Sequence, residues 1–145
     1  MRAPTYTAAH LKAAKFKAKF KGKNGMAEWF VAKASELPDG DRRIVVAGKE
    51  EIGVFHQGGA FYAYSNYCVH SGGPACEGIL MNKVVDLIDA DRTYQGQTFS
   101  DEMHFVCPWH GYEYEMTTGR CVGDSRLKLK KYEVVRRGDD IYVVA

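Results

Sequence analysis

Two short segments restrict this chain more than anything else in it: Cys68-Val69-His70 and Cys107-Pro108-Trp109-His110. Each puts a thiol and an imidazole within one tight turn. Glycines follow both, Gly72-Gly73 after the first and Gly111 after the second. Glycine lets a loop close around a metal group and brings backbone N–H groups toward thiolate sulfurs. With 4 cysteines and 5 histidines in 145 residues, two such pairings are a poor match to chance. An even cysteine count in a chain that reads as intracellular points to metal chemistry more than to a disulfide framework. Zinc is the sharpest competitor, but zinc modules usually pair Cys with Cys and His with His. Mixed knuckles suit a two-iron cluster in which each loop gives one ligand to each iron.

The rest of the chain reads as one domain with an appendage. Residues 1–25 carry seven basic side chains and no Asp or Glu, which leaves the remainder at −5 against an overall charge of +2. In residues 15–21 lysine alternates with Phe16, Ala18 and Phe20, too little apolar surface to bury among so many like charges. This basic arm is expected to be flexible, with the domain at 26–145. It lacks an aromatic stacking platform or a long amphipathic helix, so nucleic-acid or membrane binding is not expected. No apolar run approaches the ~18 residues of a membrane helix. The N-terminus offers no leader-like stretch, and a cytoplasmic protein is expected.

From Trp29 onward the texture is that of short strands at 29–32, 43–47, 51–56 and 60–64, with Gly58-Gly59 as a hairpin turn rather than a phosphate loop. Residues 104–107, 112–116 and 127–135 continue it, and Gly138-Asp139-Asp140 turns the chain into a last strand at 141–144. The expected fold is all-β, an antiparallel sandwich or barrel. Residues 83–91 differ: apolar residues at 84, 85, 87 and 88 fit a short helix about as well as a strand. His104 reads as a half-buried strand residue rather than a ligand, and His10 and His56 have no motif context. Cys76 and Cys121 read as small buried residues.

On the two knuckles the sequence resembles the Rieske family. Cys-x-His … Cys-x2-His is that family's signature, and residues 107–111 match its second loop nearly letter for letter. Asn66, Thr118-Gly119 and the closing 127–144 hairpin extend the resemblance over roughly residues 27–145, specifically to ferredoxins of ring-hydroxylating dioxygenases. It implies a small cluster-binding subdomain made of two loops and one [2Fe–2S] cluster. Cys68 and Cys107 would hold an inner iron, and His70 and His110 an outer iron near the surface. Neutral imidazoles in place of thiolates favour the reduced state and place the potential roughly between −150 and +300 mV. Trp109, Gly111 and Tyr114 would surround the ligands. Tyr114 matches a tyrosine that in respiratory relatives donates to a ligand sulfur, while Tyr112 replaces their neighbouring serine, so a potential low in the range is expected.

Two departures accompany the resemblance. Trp109 stands where respiratory-type proteins place a disulfide cysteine, and Cys76 is displaced from the matching position, so no loop-to-loop disulfide is expected. The 36 residues between His70 and Cys107 are about twice the usual gap, an insertion centred near 78–100. The implied role is that of a non-catalytic carrier, a monomer passing single electrons transiently from a flavin-dependent, NAD(P)H-linked reductase to a terminal oxygenase. The chain shows no mononuclear-iron triad and no dinucleotide fingerprint. Alternatives are a small subunit of a nitrite-reductase-like complex and a redox-sensing regulatory protein.

Overall fold

The computed structural model of the chain describes residues 14–15, 20–21 and 25–145. The expected flexible arm at 1–25 therefore falls mostly outside the described residues. The described residues form eleven strands: β1 (Ala14–Lys15), β2 (Phe20–Lys21), β3 (Ala27–Lys33), β4 (Arg42–Ala47), β5 (Glu50–Gln57), β6 (Ala60–Ser65), β7 (Leu80–Ile88), β8 (Tyr94–Val106), β9 (Glu113–Glu115), β10 (Lys131–Arg137) and β11 (Asp140–Val144). Among the described residues there is no α-helix, only a 3-10 turn at Ala34–Glu36. The fold is all-β. The described residues divide into two compact units, those up to Ser65 together with Tyr132–Ala145, and Asn66–Lys131.

The first unit is built on one sheet of order β1-β4-β5-β6-β10-β11-β3-β2. Its hairpins follow from the sequence. The β5–β6 pair closes at Gln57↔Ala60 around Gly58 (φ +60°) and Gly59 (φ +79°). Two consecutive left-handed residues make the turn whose twist matches that of the strands, and glycine adopts it without steric cost. Alternate residues of the strands fill one core: Val31 of β3, Val45 of β4, Ile52 and Val54 of β5, Ala63 of β6, and Ile141 and Val143 of β11. Residues far apart in the strand order meet in that cluster, so the sheet curls on itself.

The second unit is a three-stranded sheet of order β7-β8-β9 with the two knuckles at its strand ends. The short helix allowed for residues 83–91 does not form. Residues 80–88 pair with β8 instead, with Val84↔Phe99, Val85↔Thr98, Asp86↔Gln97 and Leu87↔Gly96 in register. β-Branched residues at 84, 85 and 88 favour the pleated backbone. A helix here would need an apolar surface to bury against, whereas Val84, Leu87 and Ile88 stay exposed. Asp89 closes the hairpin, its carboxylate accepting the N–H of Asp91 and of Thr93 at 3.0 and 2.8 Å. The insertion is thus a long β-hairpin arm. Residues 127–130, expected as the start of a strand, fold back on residues 119–121 instead: Cys121 N–H donates to Leu127 and Leu129 N–H to Gly119, and Arg120 bridges Lys128. The final strand pair starts at Lys131.

Candidate metal centre

Both knuckles use one hydrogen-bond frame. The Cys68 N–H donates to the carbonyl of Gly73 and the Cys68 carbonyl accepts from Gly72, both at 2.8 Å. The Cys107 N–H donates to the carbonyl of Tyr112 at 2.8 Å and its carbonyl accepts from Gly111 at 3.0 Å. In each case the bonds run from the cysteine to positions i+5 and i+4. The fourth residue on is a left-handed glycine, Gly72 at φ +73° and Gly111 at φ +70°. An L side chain at either would cost about 1–2 kcal/mol.

Other contacts hold the loops in place. Asn66 is buried and closes the first loop: its Oδ1 accepts the Cys76 N–H at 2.8 Å, its carbonyl accepts Ala75 N–H, and its Nδ2 donates to Glu77 at 2.9 Å. The Val106 N–H donates to the Ile79 carbonyl at 3.0 Å, tying the exit of the first loop to the entry of the second. Two glycines lie at points of close approach. A Cβ at Gly73 would sit 2.7 Å from Cδ2 of Trp109, so the indole lies directly against the first loop. A Cβ at Gly78 would sit 1.7 Å from the Val106 carbonyl oxygen.

The four candidate donors come together as two pairs of different character. Cys68 and Cys107 are buried, and close enough for their side chains to hydrogen-bond. Burial pushes the Cys107 thiol up; the backbone N–H of Trp109 opposes this, the adjoining Cys68 adds to it, and the His110 N–H opposes it. The Tyr114 hydroxyl lies 3.0 Å from Cys68 Sγ and also receives the Val69 N–H. Burial, then the neighbouring Cys68, pushes the Tyr114 hydroxyl far above its ordinary range, so it keeps its proton. His70 and His110 are exposed, their rings perpendicular with centroids 4.8 Å apart. Their Nδ1 atoms lie 3.4 and 3.3 Å from one hydroxyl, that of Ser71. Tyr112 stacks on His70 at 4.2 Å and 10°.

Two metal groups can be weighed against this arrangement. One zinc ion needs all four donors at about 2.0–2.3 Å. Among the described residues no three His, Cys, Asp or Glu side chains converge on one point. A buried sulfur pair beside a converging imidazole pair is the donor set of a two-iron cluster with one all-sulfur iron.

One neighbouring residue, Ser71, was not singled out by sequence reasoning, and others differ from their expected setting. Ser71 is the contact shared by both imidazoles; its place inside a knuckle was the only available hint. Tyr112 was read as a lost sulfur donor, and its ring is instead stacked on His70. His104 is wholly buried rather than half-buried. Its Nε2 is 2.7 Å from Glu102 and its Nδ1 is hydrogen-bonded to Glu113. Cys76 and Cys121 are buried, as expected.

Comparison with known proteins adds to this geometry. The model of the Rieske [2Fe-2S] domain matches residues 27–133. The chain is 34% identical over 116 residues to the cytochrome b6-f complex iron-sulfur subunit of Chlorobaculum thiosulfatiphilum, an alignment covering 80% of this chain and 52% of that subunit. The chain thus spans about half the length of that relative. It is 29% identical over 119 residues to the 3-phenylpropionate/cinnamic acid dioxygenase ferredoxin subunit of Photorhabdus laumondii, covering 81% of this chain and 94% of that one. Among solved structures, the ferredoxin of carbazole 1,9a-dioxygenase from Nocardioides aromaticivorans superposes with a TM-score of 0.58 at 23% identity, covering 80% of this chain and 95% of that one. A Mycobacterium tuberculosis protein described as an NADH-dependent nitrite reductase small subunit superposes with a TM-score of 0.64 at 15% identity, covering 83% and 96%. At these identities the two structures speak for the fold. Among the described residues no helix is long and apolar enough to cross a membrane.

Proposed function

We propose, for a chain that belongs to the Rieske [2Fe–2S] domain family, that it is a one-electron carrier which passes electrons from an NAD(P)H-dependent, flavin-containing reductase to a terminal oxygenase. The Rieske-type [2Fe–2S] cluster of the family supplies reversible one-electron chemistry when bound. We assign its ligands as Cys68 and Cys107 on the buried side and His70 and His110 on the exposed side. The observation that carries the reading is this pairing of buried thiols with exposed imidazoles. The sulfurs are shielded from water and take hydrogen bonds from Tyr114 and from backbone N–H groups, which stabilises negative charge there. The imidazole edges reach the surface, where a partner can approach them. The oxygenase partnership is supported by the dioxygenase ferredoxin relative, of which the chain covers 94%.

A second reading is favoured by the nitrite reductase small subunit among the structural neighbours. In that case the chain would sit in a stoichiometric complex. Copurification at fixed stoichiometry separates it from a transient carrier.

The ligand assignment is tested by electron paramagnetic resonance of the dithionite-reduced protein. The low average g value of mixed nitrogen and sulfur ligation is expected, and it should be lost in His70→Ala and His110→Ala. An all-thiolate spectrum, or an unchanged chromophore in either variant, refutes the assignment. For the carrier role, residues 26–145 have a net charge of −5, which suits fast docking on basic partner surfaces. Reduction by a dioxygenase-type reductase should slow as salt rises; an ionic-strength-independent rate counts against it.

A further inference from the structure

His104 is the largest buried polar feature that the electron-carrier reading leaves without a task. It lies on β8, three residues before Cys107, with no side-chain exposure. Both ring nitrogens face carboxylates, Nε2 that of Glu102 at 2.7 Å and Nδ1 that of Glu113. Glu102 and His104 alternate onto one face of β8. Glu113 belongs to β9, where it stands opposite Val106, while His104 stands opposite Glu115. Lys83 of β7 reaches Glu102 from the other side at 3.4 Å. A polar row Lys83–Glu102–His104–Glu113 therefore crosses all three strands of the sheet. Burial alone would pull the imidazolium down, but the hydrogen bonds to Glu102 and Glu113 and their charges outweigh it, and the ring stays protonated more readily than a free histidine.

The significance lies in what flanks Glu113. Successive strand residues point to opposite faces. With Glu113 held toward His104, Tyr112 and Tyr114 are turned the other way. Tyr112 stacks on His70, and the Tyr114 hydroxyl reaches Cys68 Sγ at 3.0 Å. These are two of the four assigned ligands, one on each side of the centre. β9 is three residues long; it pairs with β8 on one edge and meets residues 120–122 on the other, and the His104–Glu113 contact adds a side-chain hold to that backbone pairing.

We propose that His104 is a positioning residue that, by clamping Glu113, fixes the rotation of β9 and so holds the Tyr114 hydroxyl on Cys68 Sγ and sets the reduction potential of the centre. The proposal rests on the ligand assignment above. A hydroxyl donating to a ligand sulfur stabilises the reduced, more negative state. Releasing β9 weakens that bond and lowers the potential.

The test is film voltammetry on four holoproteins: wild type, His104→Gln, Tyr114→Phe and the double variant. His104→Gln keeps size and a donor but cannot bridge two carboxylates with charge. It should lower the potential, and the double variant should match Tyr114→Phe alone, because the bond through which His104 acts is already gone. A tenfold fall in the reduced-to-oxidised ratio at fixed ambient potential corresponds to about 59 mV for one electron. An unchanged potential in His104→Gln overturns the proposal, as do shifts that simply add in the double variant. If His104→Gln does not retain its cluster, Glu113→Ala serves in its place. That variant removes the acceptor that His104 holds and should also lower the potential, whereas loss of the carboxylate charge by itself would raise it; an unchanged or raised potential overturns the proposal. Failure of the ligand assignment would show separately, as a wild-type spectrum without mixed-ligation character.

Discussion

The strictest steric constraint on the centre is at Gly78, and Gly78→Ala tests it. A Cβ there would lie 1.7 Å from the Val106 carbonyl oxygen, 2.9 Å from its carbon and 3.2 Å from Cδ of Pro108. An ordinary C···O approach is about 3.3 Å, so the two chain segments must part by roughly 1.5 Å. Neither side of the clash is a flexible side chain that could swing away. Parting them breaks the 3.0 Å bond from Val106 N–H to the Ile79 carbonyl, immediately next to the clash. Overpacking costs about 1–3 kcal/mol and a lost backbone hydrogen bond about 1 kcal/mol, so a destabilisation of roughly 3 kcal/mol is expected. For a chain of this size that lowers Tm by about 10 °C. The same displacement separates the exit of the first knuckle from the entry of the second, so cluster content after reconstitution should fall as well. Two controls isolate the cause. Gly123 has nothing within 4 Å and no left-handed backbone, so Gly123→Ala should change stability by less than about 1 kcal/mol. Gly111 has open space but φ +70°, so Gly111→Ala should cost about 1–2 kcal/mol without steric conflict. Full iron and acid-labile sulfide in Gly78→Ala, with a melt within 3 °C of wild type measured by circular dichroism, would refute the reasoning.

Gly73→Ala should fold and load, because the clashing Trp109 indole is 59% exposed and can swing outward; the expected signature is faster iodide quenching of tryptophan fluorescence, and an unchanged quenching rate would show that the indole does not lie on the first loop. The pH dependence of stability should carry the mark of His104. Its pKa is raised above the ordinary 6.5, so its contribution is complete below about pH 6.5 and lost as pH rises through the folded value. Glu102, lowered from 4.5 chiefly by its bond to His104, contributes above about pH 4.5 and loses this as pH falls through its folded value. With Lys83, Glu113 and Glu115 the other charged groups facing this row, the gap in urea midpoint between wild type and His104→Gln should be widest between those limits and narrow toward high pH; a gap that widens above about pH 6.5 would contradict the sign.

The four assigned donors stand out by spacing alone, because the chemistry requires a thiol and an imidazole in one turn and nothing else in 145 residues supplies that twice. The strands at 43–47, 51–56 and 60–64 were legible too, and each observed strand is longer by a residue at one or both ends. Their turns are glycines whose left-handed backbone is a local requirement, visible without tertiary context. The hairpin arm was not legible as such. Residues 84–88 satisfy a helical and an extended pattern equally, and only the partner strand at 94–106 chooses between them. That partner contains Gly96, Gln97 and Ser100, which give it no clear apolar alternation. His104 was misjudged for a related reason. Its burial depends on Glu113, which lies across a loop and on another strand, and a lone histidine in a strand carries no sign of its acceptors.

The two knuckles also show how unequal spacing yields a usable site. Both impose the same i+4 and i+5 bonds from the cysteine, so the two backbones present their sulfurs equivalently. The histidine, however, stands two residues after Cys68 and three after Cys107. Within one shared turn, a shift of one residue rotates the side chain to a different direction. That is why the imidazole planes cross at 87° instead of stacking, and why both can turn Nδ1 toward the Ser71 hydroxyl. Equal spacing in such similar frames would point the two rings alike, crowding one side of the centre. Trp109 takes the place in the second loop that His70 takes in the first, and its indole lies on Gly73 of the first loop. Placing the second histidine one residue later therefore goes with two things, an imidazole turned across the first and an indole that clasps the loops together. Exchanging Trp109 and His110 to equalise the spacing should cost both at once, giving a protein that keeps its two buried thiols but no longer shows mixed-ligand resonance; retention of that signal in the exchanged variant would show that the rings are oriented by something other than the spacing.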